Sequence, residues 1–145
     1  MKVKYKKVET IPEFIDAIRI RVDVFIKEQN CPPGWEPDEF DKVSDHYIAS
    51  VNGIVVATAR IRQDSPDVLK IERMVVKKDY RKKGIGLDLT KYLIKGAQKK
   101  KPSKIWIEAQ SYAQKFYEKS GFKTVSEEYD LYNIGIPHVT MEYKS

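Results

Sequence analysis

The sequence predicts an α/β chain of the α+β type: one mixed sheet with helices on its faces. Three observations predict it. An apolar helical period occupies the first part of the chain, Asn52-Gly53 separates two β-rich runs, and a glycine loop leads from a strand into a second amphipathic helix. In order, the elements read β-α-β-β-β-α-β-α-β-β.

A strand over residues 3–8 comes first. Thr10-Ile11-Pro12-Glu13 then has the form of a helix start, with a threonine cap, glutamate three residues on and proline in the first turn. Ile11, Phe14, Ile15, Ile18, Val22, Phe25 and Ile26 recur at helical spacing, so the helix is expected to bury that face and to end near Gln29. Residues 30–45 are rich in Pro, Asp and Glu and have no period; a loop this long in a compact domain is functional or mobile. Strands over 47–51 and 54–62 flank Asn52-Gly53, a strong hairpin signal. Ser65-Pro66-Asp67 turns the chain into a strand over 69–76, completing a meander. A helix over 84–100 is expected to turn Ile85, Leu89, Tyr92, Leu93 and Ala97 inward, with Gly96 weakening its second half. A strand over 105–109 follows, then a short helix over 111–120 stopped by Gly121 in a left-handed cap. Strands over 122–125 and 138–143 finish the chain.

The length of 145 residues suits one domain, residues 1–145, able to bury a real core. No apolar run reaches the length of a membrane span and the first residues lack the apolar core of a signal peptide, so no membrane partner is expected and a cytoplasmic location is. A single cysteine, Cys31, agrees with a reducing compartment. With that one cysteine and two histidines, His46 and His138, no metal site is expected. Cys31 as a nucleophile with His46 as base is the weakest reading of these residues. The net charge of +6 suits an anionic ligand: nucleic acid, a membrane surface or a phosphorylated small molecule. No helix-turn-helix, zinc-finger or RNP pattern appears, so nucleic acid is not an expected partner. Lys99-Lys100-Lys101 reads as a solvated helix end.

The informative cluster is Arg81-Lys82-Lys83-Gly84-Ile85-Gly86, between a strand and a helix. Glycines there let the backbone approach a bulky anion, the first helical N–H groups point at it, and the helix dipole favours its charge. A diphosphate fits. A Rossmann fingerprint would need a third glycine after a parallel strand, and a Walker loop would need Gly-Lys-Ser/Thr; neither is present. A basic turn that merely caps a helix is the plain alternative.

Ile71-Glu72-Arg73-Met74-Val75-Val76 followed by this loop resembles the central motif of the GNAT superfamily of N-acetyltransferases, with Arg81, Gly84 and Gly86 filling Arg/Gln-x-x-Gly-x-Gly/Ala. Phe116-Tyr117-Glu118-Lys119-Ser120-Gly121-Phe122 resembles the family's second motif, with Ala113 upstream. The joint match is far more specific than either alone. Residues 21–32, Ala109-Gln110 and Gly135-Ile136-Pro137-His138 look like the ElaA/YjcF-like branch. The resemblance implies the GNAT fold: a mixed sheet of six to seven strands with a splay between the fourth and fifth, flanked by about four helices. It also implies acetyl-CoA as cofactor and a small-molecule primary amine as partner, an amino sugar phosphate being one such acceptor.

The resemblance implies roles as well. Backbone groups of Met74, Val75 and Val76 would meet the pantetheine and the thioester oxygen, an oxyanion-hole arrangement. Arg81, Lys82, Lys83, Gly84, Ile85 and Gly86 would hold the diphosphate, with Gln110 and Phe116 also at the cofactor; Gln110 stands where many members place asparagine. Glu72 is the candidate base, against the alternative that it pairs with Arg60, Arg62 or Arg73 across the sheet. Tyr117 is the candidate acid, against the alternative of a core aromatic. Phe25, Gln29, Arg60, Arg73 and His138 would line the acceptor pocket. A non-catalytic acyl-CoA-binding module and a basic nucleic-acid-binding domain are the other classes to separate, and an edge strand near the C-terminus leaves room for a homodimer.

Overall fold

The computed structural model describes residues 1–144. Its strands form one eight-stranded sheet in the order β1-β2-β3-β4-β5-β8-β6, with β7 pairing β8. These are β1 (Val3–Lys7), β2 (Asp45–Val51), β3 (Ile54–Ser65), β4 (Val68–Val76), β5 (Lys104–Gln110), β6 (Phe122–Thr124), β7 (Tyr129–Asp130) and β8 (Pro137–Tyr143). The α-helices are α1 (Ile11–Arg21), α2 (Ile85–Gln98) and α3 (Gln114–Glu118). The expected mixed sheet and splay are present. The added strand is the two-residue β7, too short to leave a period, and three α-helices stand where about four were expected.

Local chemistry accounts for the element ends. Thr10 caps α1 with the full capping box, its hydroxyl accepting from the Glu13 amide while the Glu13 carboxylate accepts from the Thr10 amide. Asn52 and Gly53 both take positive φ, the hairpin geometry their side chains permit. Gly121, at φ +103°, ends the turn after α3. Gly96 has a packing reason: a β-carbon there would lie 2.6 Å from the Tyr47 hydroxyl.

The first helix differs from expectation in two ways. Beyond Arg21 it continues as a π-helix, Val22–Glu28, with the Gln29 amide donating to the Val24 carbonyl. Its buried face is Ala17, Ile20, Arg21 and Val24, while Ile11 is 75% exposed and Ile15 44%. Apolar spacing misplaced the face because a buried arginine occupies it, and a hydrophobic pattern scores arginine as solvent-facing. Tyr92 likewise sits at the rim, stacked on Tyr5 and edge-on to Tyr47.

Two layers clothe the sheet. Leu89, Leu93 and Ala97 of α2 bury against Ala57, Ile61, Ile107 and Met141. Ile20 and Val24 form a separate cluster with Val75 on the α1 side.

Candidate active site

The site begins where two strands part. β4 and β5 pair in parallel only from Val68–Lys104 to Lys70–Trp106. Beyond that point β4 keeps its pairing with β3, and its other edge opens on a cleft of about 840 Å³. A bulge marks the opening. Thr58 pairs Val75 and Arg60 pairs Glu72, so β4 carries one extra residue there, and Arg73 takes φ 57°. A non-glycine residue in that region costs ~1–3 kcal/mol, strain that clusters at functional sites.

Strand alternation assigns the walls. Antiparallel partners directly opposite share a face, so Glu108 with Thr140 and Gln110 with His138 point to the α1 side. Ile107, Ala109, Val139 and Met141 point to the α2 side, where Tyr117 packs.

At the glycine-loop end, Gly84 caps α2 at φ +84° with open space where a β-carbon would stand. The first intrahelical bond runs from the Asp88 amide to the Gly84 carbonyl, leaving the amides of Ile85, Gly86 and Leu87 without a helical acceptor. Gly86 passes close under Phe116, whose ring atom would lie 3.1 Å from an added β-carbon. Lys82 and Lys83 are exposed and have no ion-pair partner among the described residues. Arg81 is already occupied: its Nε donates to the Val76 carbonyl at 2.9 Å, and its two Nη atoms grip Glu28 at 2.6 and 2.8 Å. The loop therefore offers backbone amides and two ammonium groups, with Arg81 as a brace. That donor set, beside the unpaired edge of β4, fits a diphosphate carrying a pantetheine arm.

Tyr117 lines the cleft, with Phe116 edge-on at 4.9 Å. Burial, with a smaller contribution from Tyr112, pushes its phenol well above the ordinary value. Gln110 and Gln29 exchange amide hydrogen bonds at 3.0 and 3.4 Å, a bridge from β5 to the end of the first helix.

The other end of the cleft, where an acceptor was expected, is ionic. Glu72 accepts from Arg60, Arg62 and Lys70. Burial alone would raise its carboxyl, but the Arg62 hydrogen bonds and the charges of Lys70 and Arg60 hold it at about 2. Cross-sheet pairing, the alternative weighed for this residue, is what the geometry contains. Arg60 requires a correction. Expected in the acceptor pocket, it is 1% exposed and lies beneath the cleft, clamped by Asp38, Asp41 and Glu72. A strand position predicts which face a residue takes, and loop carboxylates then cover it. Phe25, Gln29, Arg73 and His138 do line the cleft, as do Met74, Val75 and Val76; Lys83 does not.

His138 is buried in the wall, its Nδ1 2.8 Å from the Ile136 carbonyl. A carbonyl can only accept, so Nδ1 donates to it. Cys31 is buried, and burial raises its thiol. His46 is buried with its Nε2 2.8 Å from the Asp41 carbonyl and does not line the cleft that Cys31 lines, so the nucleophile reading gains no paired base there.

Several cleft residues were not singled out in the sequence: Glu28, Trp35, Glu36, Lys70, Glu108 and Tyr132. The available signal was the long loop over residues 30–45. It is held down by buried ion pairs, Arg21 to Glu36 at 2.6 Å and to Asp41 at 2.7 Å.

The match to known proteins follows the same geometry. Residues 13–145 match the model of the acetyltransferase (GNAT) domain. The chain belongs to the GNAT acetyltransferases. Its relatives include YjcF of Bacillus subtilis (strain 168), named as an N-acetyltransferase, at 36% identity over 87% of this chain and 89% of that one. The crystal structure of Escherichia coli ElaA superposes with a TM-score of 0.87 at 25% identity, covering 99% of this chain and all of that one. An acyl-CoA N-acyltransferase from Pseudomonas aeruginosa gives 0.85 at 26% identity over 99% of this chain and 100% of that one. The ElaA/YjcF-like resemblance thus holds, and this GNAT chain is an enzyme of the acyltransferase class.

Proposed function

We propose that this GNAT chain moves an acetyl group from acetyl-CoA to a primary amine of a small molecule by direct attack. The observation that carries the reading is the unpaired stretch between β4 and β5, open at one end to the glycine mouth of α2 and flanked by Tyr117 and His138 on opposite faces. Bound acetyl-CoA would supply the thioester. The amides of Ile85, Gly86 and Leu87, with Lys82 and Lys83 beside them, would hold its diphosphate. The free edge of β4 at Met74, Val75 and Val76 would hold the pantetheine and the carbonyl oxygen.

Proton traffic divides between the faces. The amine nitrogen forms a bond to the acyl carbon as the carbon–sulfur bond breaks, so one proton must leave nitrogen and one must reach sulfur. Tyr117, kept protonated by burial, is suited to supply the second. Glu72, first weighed as the base, is a poor acceptor when three cations hold it at about 2; its work is to fix Arg60, Arg62 and Lys70. His138 is the better-placed candidate, oriented through its Nδ1 contact with the Ile136 carbonyl, which leaves Nε2 as the ring nitrogen available to the amine.

The test is thiol release from acetyl-CoA with a panel of amines. Tyr117→Phe and His138→Ala are expected to lose roughly 10²- to 10⁴-fold in turnover while keeping CoA affinity, and added imidazole should restore part of the His138→Ala activity. A Tyr117→Phe enzyme at wild-type rate would remove the acid. CoA binding with no release from any amine would leave a non-catalytic acyl-CoA-binding module, and displacement of CoA by DNA would favour a nucleic-acid domain. A cytoplasmic setting and a homodimer through the edge strand β6 belong to the same reading, the latter checked by sedimentation.

A further inference from the structure

Among the described residues, the cations that line the acceptor end are already committed. Arg73 donates from Nε to Glu36 and from an Nη to Asp38, each at 3.0 Å. Lys70 is shared between Glu72, at 3.0 Å, and Glu108. A phosphate or carboxylate on the acceptor would have to share a cation with carboxylates that already hold it, and drawing Lys70 away would leave Glu108 without its cation. The floor is therefore a poor receptor for an anionic acceptor.

The wall beside it is aromatic, with the Arg73 guanidinium 5.9 Å from the centre of the Phe25 ring. Trp35, in the turn Pro33–Trp35, packs on Tyr132 from the link between β7 and β8, ring centres 4.7 Å apart. Tyr132 meets His138 edge-on at 6.0 Å, and Phe25 and Ile136 extend the surface. Tyr132 keeps 40% of its surface open at the rim. Below lies Glu108, whose single cation partner is Lys70 and which accepts from the Tyr129 hydroxyl at 3.1 Å. That phenol has one proton to give, so Thr140 must donate to it across their 2.8 Å contact, which fixes the carboxylate's orientation. Aromatic faces over an oriented carboxylate suit an ammonium carried on a flat apolar body.

We propose that the acceptor is a primary amine on an aromatic body, an arylalkylamine, seated against Trp35 and Tyr132 with its nitrogen between Glu108 and His138. The proposal rests on the acetyl-transfer reading above. It excludes the amino sugar phosphate that the family resemblance left open.

The experiment measures thiol release from acetyl-CoA with 2-phenylethylamine, tyramine, spermidine and glucosamine 6-phosphate, alongside calorimetry of CoA binding. The two aryl amines are expected to exceed the others by roughly 10- to 100-fold in kcat/KM, the scale of burying one ring. Trp35→Ala should raise KM for 2-phenylethylamine about tenfold with KM for acetyl-CoA unchanged, and Trp35→Phe should recover most of it. Tyr132→Leu gives a second reading should Trp35→Ala not fold. Preference for glucosamine 6-phosphate or spermidine overturns this proposal alone, as does an unchanged KM in the Trp35 and Tyr132 variants. Tight CoA binding with no release from any amine overturns the transferase reading, and this one with it.

Discussion

The two ends of the cleft are built by different means. At the end proposed for the cofactor the donors are backbone amides, supplied within six residues by one loop that turns through Gly84 into α2. At the end proposed for the acceptor the groups are charged side chains gathered from distant places, with Arg21 and Asp41 20 residues apart and Arg73 and Glu36 37 apart. A backbone cradle asks for room and the right φ, and tolerates most side chains around it. An ion-pair floor asks for every partner at once, because removing one leaves the others charged and buried.

The largest test of this contrast is Arg60→Ala. It strips a guanidinium that is 1% exposed from Asp38, Asp41 and Glu72, and should cost about 3–5 kcal/mol in urea unfolding. Lys82→Ala at the other end should stay within about 0.5 kcal/mol. Equal losses from the two would erase the distinction.

Acid should act next, and on the same end. Glu72 is held at about 2 against an ordinary 4.5, and Asp41 is also lowered by Arg21 and Arg60 against the opposing effect of burial. Carboxyls depressed in the fold contribute stability that is full above their unfolded values and lost as pH falls toward the folded ones. His46, lowered from 6.5 mainly by burial, adds in the same direction, since the unfolded chain takes up its proton first. The urea midpoint should therefore drop as pH falls from neutrality through 4.5 toward 2, and the drop should shrink in Arg60→Ala. A flat midpoint would sink the ionic account of this wall.

A smaller loss of stability than that of Arg60→Ala sharpens the other side. Gly84→Val forces a β-branched residue to φ +84° and should cost about 1–2 kcal/mol. CoA affinity, measured by calorimetry, should fall at least tenfold, because the amides of Ile85, Gly86 and Leu87 are aimed by that turn.

The same contrast explains how much could be read before folding. Thr10 with Glu13, Asn52-Gly53 and Gly121 are local instructions, each confined to a few neighbouring residues, and each is obeyed. The glycine loop and Phe116-Tyr117 belong to this class, so the glycine end of the cleft was legible. Arg60 was misplaced and the buried face of α1 was missed for one shared reason: a charge is buried only when its counter-charges arrive, and these come from a loop with no period. Trp35 and Tyr132 sit 97 positions apart by number yet touch, and neither carries a local signal of that contact.

Short-range chemistry in the chain therefore settled the order of the elements, their caps and turns, and the mouth of α2, because φ preferences and capping bonds involve only near neighbours. The parting of β4 from β5, the charged floor and the aromatic wall were settled by tertiary packing. Each depends on groups that meet only after the sheet forms, where loss of water makes pairing or stacking decisive.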